Sequence, residues 1–164
     1  VLDVKPAQCT LVPDDPDQLT SDHGWDVARD GARLKEIVAE LKDANIRVSV
    51  FMDPVVDQVE RVPDTGADRI ELYTESYAKA FGTENQNPVL AEFTAAAEAA
   101  QAAGLGVNAG HDLDQRNLPE FLRRVPNVLE VSIGHALISE AIFEDGLANV
   151  VRKYLAAIEQ GAAV

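Results

Sequence analysis

Two Gly-His pairs, Gly110-His111 and Gly134-His135, each close a short apolar run, Val107-Asn-Ala109 and Val131-Ser-Ile133. Glycine lets a backbone approach a ligand closely, with its amide unshielded by a side chain. Histidine can give or take a proton, or hydrogen-bond an anion, near neutral pH. His111 therefore reads as a general acid/base or phosphate ligand, with a loop histidine satisfying a carbonyl as the alternative. Gly134-His135 falls where a strand hands over to a helix. Unpaired amides and the helix dipole favour anions at such a point, the alternative being a plain tight turn. Glu71 stands inside the run Ile70-Glu-Leu-Tyr73. A carboxylate among strand neighbours is costly unless it is paired or faces a polar site, so Glu71 is a candidate site residue. Thr20 and Ser21, close to Gly24, offer weaker phosphate-binding hydroxyls. Asp112 and Asp114 flank His111, but no second histidine stands at ligand spacing in the sequence, so no metal centre is expected.

These groups need elements to position them. Short apolar runs at 7–12, 47–52, 69–73, 106–109 and 129–133 predict five buried strands. Helical spacing of Val27, Leu34, Ile37, Val38 and Leu41 predicts a helix to about Asn45, with Asp26 as its cap. A short helix is expected through Val56, Val59 and Val62. A longer Ala-rich one runs from Pro88 to Ala103 and is stopped by Gly104. Further helices are expected near 118–124, 136–143 and 146–160. Residues 13–26 and 74–87 read as long polar loops, which in compact domains are often functional.

Five βα units in succession imply a parallel sheet with helical crossovers. The expected class is α/β: a TIM (β/α)8 barrel, incomplete here, over a single domain spanning 1–164. An eight-unit barrel typically needs about 250 residues, so three further units would supply roughly the missing length. An open doubly wound sheet is the alternative. Two features favour the barrel: its phosphate site typically uses the loops after the last two strands and a short extra helix. Both Gly-His pairs and the short helix after the second stand there.

The chain has 164 residues, 46% hydrophobic and 26% charged, with a formal net charge of −14. That charge argues against sequence-independent nucleic-acid binding, and no apolar run approaches the ~20 residues of a membrane span. A soluble protein without a signal peptide is expected. The single Cys9 reads as a buried reduced thiol, consistent with the cytoplasm. A start at Val1 rather than Met implies that something has been removed or left unrecorded.

The segments Cys-Thr-Leu-Val-Pro, Arg-Val-Ser-Val-Phe-Met-Asp, Arg-Ile-Glu-Leu-Tyr-Thr-Glu-Ser-Tyr-Ala, Gly-Val-Asn-Ala-Gly-His-Asp-Leu and Glu-Val-Ser-Ile-Gly-His-Ala-Leu-Ile occur in this order from about residue 4 to residue 160. Together they resemble the pyridoxine 5′-phosphate synthase family. The resemblance implies a (β/α)8 barrel assembled into homo-octamers, matched here over units four to eight, with the first three units absent. It implies condensation of 3-amino-2-oxopropyl phosphate with 1-deoxy-D-xylulose 5-phosphate, without metal or organic cofactor. By resemblance His111 is the proton donor, and Glu71 stabilises charge in the transition state. Gly134, His135 and the residue after His111, here Asp112 where some members have glycine, bind the amino-ketone phosphate. Thr20 binds the deoxyxylulose phosphate. The family's base histidine, base glutamate and most deoxyxylulose phosphate ligands belong to the unmatched units, so the fragment alone is expected to be inactive.

Two other readings stand beside this one. A half-barrel can serve as a non-catalytic phosphate-binding or assembly module. The other is a different phosphate-handling barrel enzyme, although a Schiff-base aldolase is disfavoured because no lysine falls at an expected strand end.

Overall fold

A computed structural model of the chain describes residues 1–162, apart from the side chains of residues 144 and 145. Five strands, β1 (Gln8–Leu11), β2 (Arg47–Met52), β3 (Arg69–Tyr73), β4 (Gly106–Gly110) and β5 (Val128–Ser132), form one sheet in the order β1-β2-β3-β4-β5. All four pairings are parallel. A doubly wound sheet requires a reversal of strand order, and this sheet has none. The helices are α1 (Val27–Asp43), α2 (Val56–Val59), α3 (Glu75–Ala80), α4 (Gln86–Ala102), α5 (Leu118–Arg124), α6 (His135–Glu140) and α7 (Leu147–Ala162).

Alternation along the strands divides the sheet into two chemistries. Val48, Val50, Met52, Ile70, Leu72, Val107 and Ala109 join the apolar core shared with the helices. Arg69, Glu71 and Tyr73 project to the other face, as their shared parity in the sequence requires. On that face side chains meet across the sheet rather than only with neighbours. Thr10 of β1 donates a 2.9 Å hydrogen bond to Glu71 of β3, and Gln8 of β1 donates one of 3.1 Å to Glu130 of β5. A flat sheet would hold β1 and β5 about four strand spacings, roughly 19 Å, apart. The contact therefore shows a sheet curled about this face. Layers drawn from alternate strands are the interior pattern of a (β/α)8 barrel; here the sheet is curled but not closed.

The edges correct three sequence expectations. β1 is only half-buried and β5 is partly exposed, although both were expected to be buried, because each has a strand on one side only. Leu129 is the extra residue of a bulge, since Val107 and Asn108 pair with Val128 and Glu130. Cys9 is likewise half-buried.

The stretch 74–87, read as a loop, contains α3. Its Tyr77 and Ala80, one turn apart, are buried. Helix α4 starts two residues before Pro88, which the unpaired amides of a first helical turn allow. Asp26 does cap α1, accepting from the Arg29 amide at 3.2 Å. Asn45 takes a positive φ just beyond that helix.

Tyr77, Phe93 and Phe121 join α3, α4 and α5 in one fully buried aromatic cluster, with Phe121 5.2 Å from Tyr77 and 5.4 Å from Phe93 between ring centroids. Tyr77 also donates to the Asn117 carbonyl at 2.7 Å, tying the cluster to the segment that follows β4. Phe121→Ala is expected to lower the unfolding free energy by about 3–5 kcal/mol. Urea titration should show a lower midpoint at unchanged slope.

Candidate active site

The structure brings Glu71, His111, Asp112, Gly134, His135 and Thr20 to one cavity of about 840 Å³ at the C-terminal end of the strands. Each arrives by a different device. Glu71 is 7% exposed and is held by Thr10, with Ser132 also hydrogen-bonded to it. Burial is the main cause that raises its pKa above the ordinary carboxylate value. Nearby Glu130 pushes the same way, while Thr10, Ser132 and His111 oppose.

Gly110 makes the space for this carboxylate. A Cβ at position 110 would lie 2.5 Å from Glu71 Oε1 and 3.0 Å from Ser132 Cβ. The sequence suggested that both glycines admit a ligand. At Gly110 the structure supplies a different reason, the close approach of Glu71. At Gly134 a Cβ would meet nothing within 4 Å, so the space there is open.

His111 and Asp112 both have positive φ, 79° and 57°, a region that non-glycine residues enter at a cost. The surroundings hold them there. Buried Thr74, the residue directly after β3, donates through its hydroxyl to the Gly110 carbonyl at 2.8 Å and to that of His111. Asn117 donates to the Asp112 carbonyl at 3.2 Å. The Tyr73 ring meets the His111 ring edge-on, 5.1 Å between centroids. Thr74, Asn117 and Tyr73 were not singled out from sequence as site residues. A hydroxyl directly after the strand that carries Glu71 is the signal that could have found the first.

His111 Nε2 shares a 2.9 Å hydrogen bond with Thr20 Oγ1. Its Nδ1 lies 3.2 Å from Asp112 Oδ2 without forming an aligned hydrogen bond. Thr20 sits in the long loop before α1, whose end is anchored to the sheet. Trp25 donates from its indole to the Leu11 carbonyl and from its amide to that of Phe51, at 2.9 and 3.0 Å. Gly24 donates to the Asp53 carboxylate at 3.1 Å. Ser21, considered with Thr20 for phosphate, also borders the cavity but donates to Asp14 at 2.6 Å.

Asp114 has a structural task, accepting from the amides of Arg116 and Asn117 at 2.8 Å each to shape the turn into α5. Asp112 instead points towards His111 and His135. Gly134 is the N-cap of α6 and His135 its first residue, as the sequence implied. The rings of His111 and His135 lie 5.8 Å apart, nearly perpendicular. Tyr73 has its pKa raised to about 12, first by burial and then by Glu75, Asp112, Asp22 and Asp53. It stays a neutral phenol at working pH, among carboxylates around the cavity.

This is an α/β protein whose candidate ligand cavity lies where parallel sheets of its class bind ligands, at the strand C-termini. Residues 1–160 match the family described as pyridoxal phosphate biosynthesis protein PdxJ, and the chain belongs to that family. A curated pyridoxine 5′-phosphate synthase of Xanthomonas campestris pv. campestris (strain B100) is 56% identical over 158 residues, covering 96% of this chain and 61% of the relative. One from Christiangramia forsetii is 51% identical over 155 residues, covering 94% and 65%. One from Xylella fastidiosa (strain 9a5c) is 53% identical over 153 residues, covering 93% and 58%. The chain thus spans about three-fifths of the length of the curated relatives it matches. Among the described residues no helix is long and apolar enough to cross a membrane.

Two outcomes test the geometry around Glu71. Gly110→Ala should displace the carboxylate and cost about 1–3 kcal/mol, as overpacking does, measurable by urea unfolding and by a structure of the variant. The second outcome concerns pH. Because the Glu71 pKa is raised on folding, its stabilising contribution is full below the unfolded carboxylate value. That contribution is lost as pH rises through the raised folded value. Glu71→Gln cannot ionise, so it should flatten this decline and be more stable than the parent above the window. Equal pH slopes for the two proteins would contradict a raised pKa.

Proposed function

We propose that this chain forms the amino-ketone phosphate side of a pyridoxine 5′-phosphate synthase active site. The single observation that carries this reading is the meeting of Glu71, His111, Gly134 and His135 at one cavity, in a chain of this family. In this reading the five units are the fourth to eighth of an eight-unit barrel. The substrates are 3-amino-2-oxopropyl phosphate and 1-deoxy-D-xylulose 5-phosphate; the products are pyridoxine 5′-phosphate, inorganic phosphate and water. The intact protein works as a cytoplasmic homo-oligomer, an octamer by family resemblance, without a required metal or organic cofactor.

The roles are those that the family resemblance implies, and the local chemistry supports them. The open amides at Gly134-His135, with the His135 ring, receive the phosphate of the amino ketone. That anchor is remote from the reacting carbonyl, so its binding energy orients the bond-forming atoms. Asp112 borders the same ligand. The Glu71 carboxyl stands in a poorly solvated place, which makes it responsive to a cation. As amine attack on the ketone and loss of water generate iminium character, the carboxylate stabilises the new positive charge more than it did the ground state. His111 then protonates a departing hydroxyl. Thr20, hydrogen-bonded to His111, contributes to the deoxyxylulose phosphate side and fixes the imidazole orientation.

The test is an assay of the intact protein for pyridoxine 5′-phosphate formation from the two phosphates, beside its His111→Asn variant. Asparagine keeps hydrogen-bonding capacity but transfers no proton at neutral pH. The variant should lose about 10²–10⁴-fold in kcat, with a much smaller change in KM for the amino ketone. An unchanged kcat would remove His111 from the acid role, and no product from the parent would remove the synthase reading altogether.

A further inference from the structure

We propose that His111, Asp112 and His135 form a binding site for a divalent ion of the zinc type, and that the ion is an inhibitor rather than a cofactor. Each of the three residues offers one ligand atom, and those atoms lie within 4.8 Å of one another. Two imidazoles and one carboxylate are a donor set that zinc favours, and three protein ligands leave one tetrahedral position open. Two ligands bound at about 2.1 Å can stand at most about 4.2 Å apart, so a small movement must bring the atoms in. His135 is exposed at the first position of α6 and is free to turn. The backbone of His111 and Asp112 is pinned as described above, and their side chains already stand 3.2 Å apart.

A second observation points to a ligand at this place. His111 Nδ1 is buried and lacks an aligned hydrogen bond, although the Asp112 carboxylate oxygen is only 3.2 Å away. A group shared between imidazole and carboxylate would satisfy both. Sequence spacing hid the cluster, because His135 is distant along the chain from His111 and meets it only across β4 and β5.

The inhibitory consequence rests on the acid role proposed for His111. A metal-bound imidazole is neutral rather than imidazolium, and its remaining N–H could leave only by forming imidazolate, so it is no acid near neutral pH. An ion held by His135 also occupies the place of the phosphate. Metal binding and turnover are therefore exclusive.

The experiment titrates the intact, substrate-free protein with Zn²⁺ by calorimetry and with Co²⁺ by visible absorption. One ion per chain should bind, and the Co²⁺ complex should show ligand-field bands of low coordination number. Asp112→Asn and His135→Gln should each weaken binding by at least about tenfold, the scale on which even outer-shell changes act. His23→Gln, at an exposed histidine that pairs instead with Asp22, should leave it unchanged. Inorganic phosphate should compete with the ion. No binding up to about millimolar metal, or equal affinity in His135→Gln and the parent, would overturn the proposal. Activation of product formation by Zn²⁺ would overturn its inhibitory part. A protein that binds zinc through these residues yet makes no pyridoxine 5′-phosphate would sink the functional reading and leave the metal site standing.

Discussion

Much of this site depends on a carboxylate kept inside a protein sheet. Glu71 is only 7% exposed, so its neighbours must supply much of what water would. Thr10 and Ser132 supply hydrogen bonds, and Gly110 leaves out the side chain that would collide with it. Partial satisfaction is the important point. Hydroxyl donors lower the cost of burial without the full charge compensation that an adjacent arginine would give. The group stays poised for a cation. Arg69, on the same strand and face, is engaged elsewhere, donating to Asn108 at 2.9 Å and to Glu130 at 3.3 Å.

That division of labour extends through the inner face. Below Glu71, Arg47 donates to Gln8 at 2.8 Å and Gln8 donates to Glu130, so an Arg47–Gln8–Glu130–Arg69 chain links β1, β2, β3 and β5. These contacts need a curled sheet and in turn hold the curl. The curl carries Thr10 to Glu71, and the register of β4 against β5 sets Gly110 opposite Ser132. The sheet's curvature and the carboxylate's environment are thus one structural fact seen at two levels. The apolar side chains on the other face fix the strands against the helices and have no direct part in this polar geometry.

How much of this was legible in the sequence follows from the range of each interaction. Strand number, direction and order could be read because apolar parity and βα alternation are local signals. Glu71 and the two Gly-His pairs could be read because each breaks a local rule at a strand or its end. Helix α3 was missed because it is short and opens on polar Glu75-Ser76, with only Tyr77 and Ala80 buried. The exposure of β5 was missed because parity cannot say which strand lacks a neighbour. The pinning of His111 by Thr74 and of Asp112 by Asn117, and the meeting of His111 with His135, lie between segments with no sequence signature of proximity. The reason for Gly110 was misread on the same ground, since the atom that needs the space belongs to another strand.

Charge poses a further constraint. The chain carries −14, and Asp22, Asp53, Glu75 and Asp112 all bear on Tyr73 within the cavity's surroundings. A purely anionic ligand would meet opposition there. Beyond a Debye length of about 8 Å at physiological salt, the distant charges are largely screened, so the nearby groups decide. The groups near the cavity are of two kinds. The carboxylates of Glu71 and Asp112 suit a cationic end, while the Gly134-His135 backbone and the two imidazoles suit an anionic one. An amino-ketone phosphate carries both signs a few bonds apart. On the proposed reading its phosphate lies at the α6 end, and its nitrogen offsets the repulsion that the nearby carboxylates would otherwise exert on the ligand. On that reading, the same acidity that weakens attraction for a simple phosphate favours a ligand that also carries an amine.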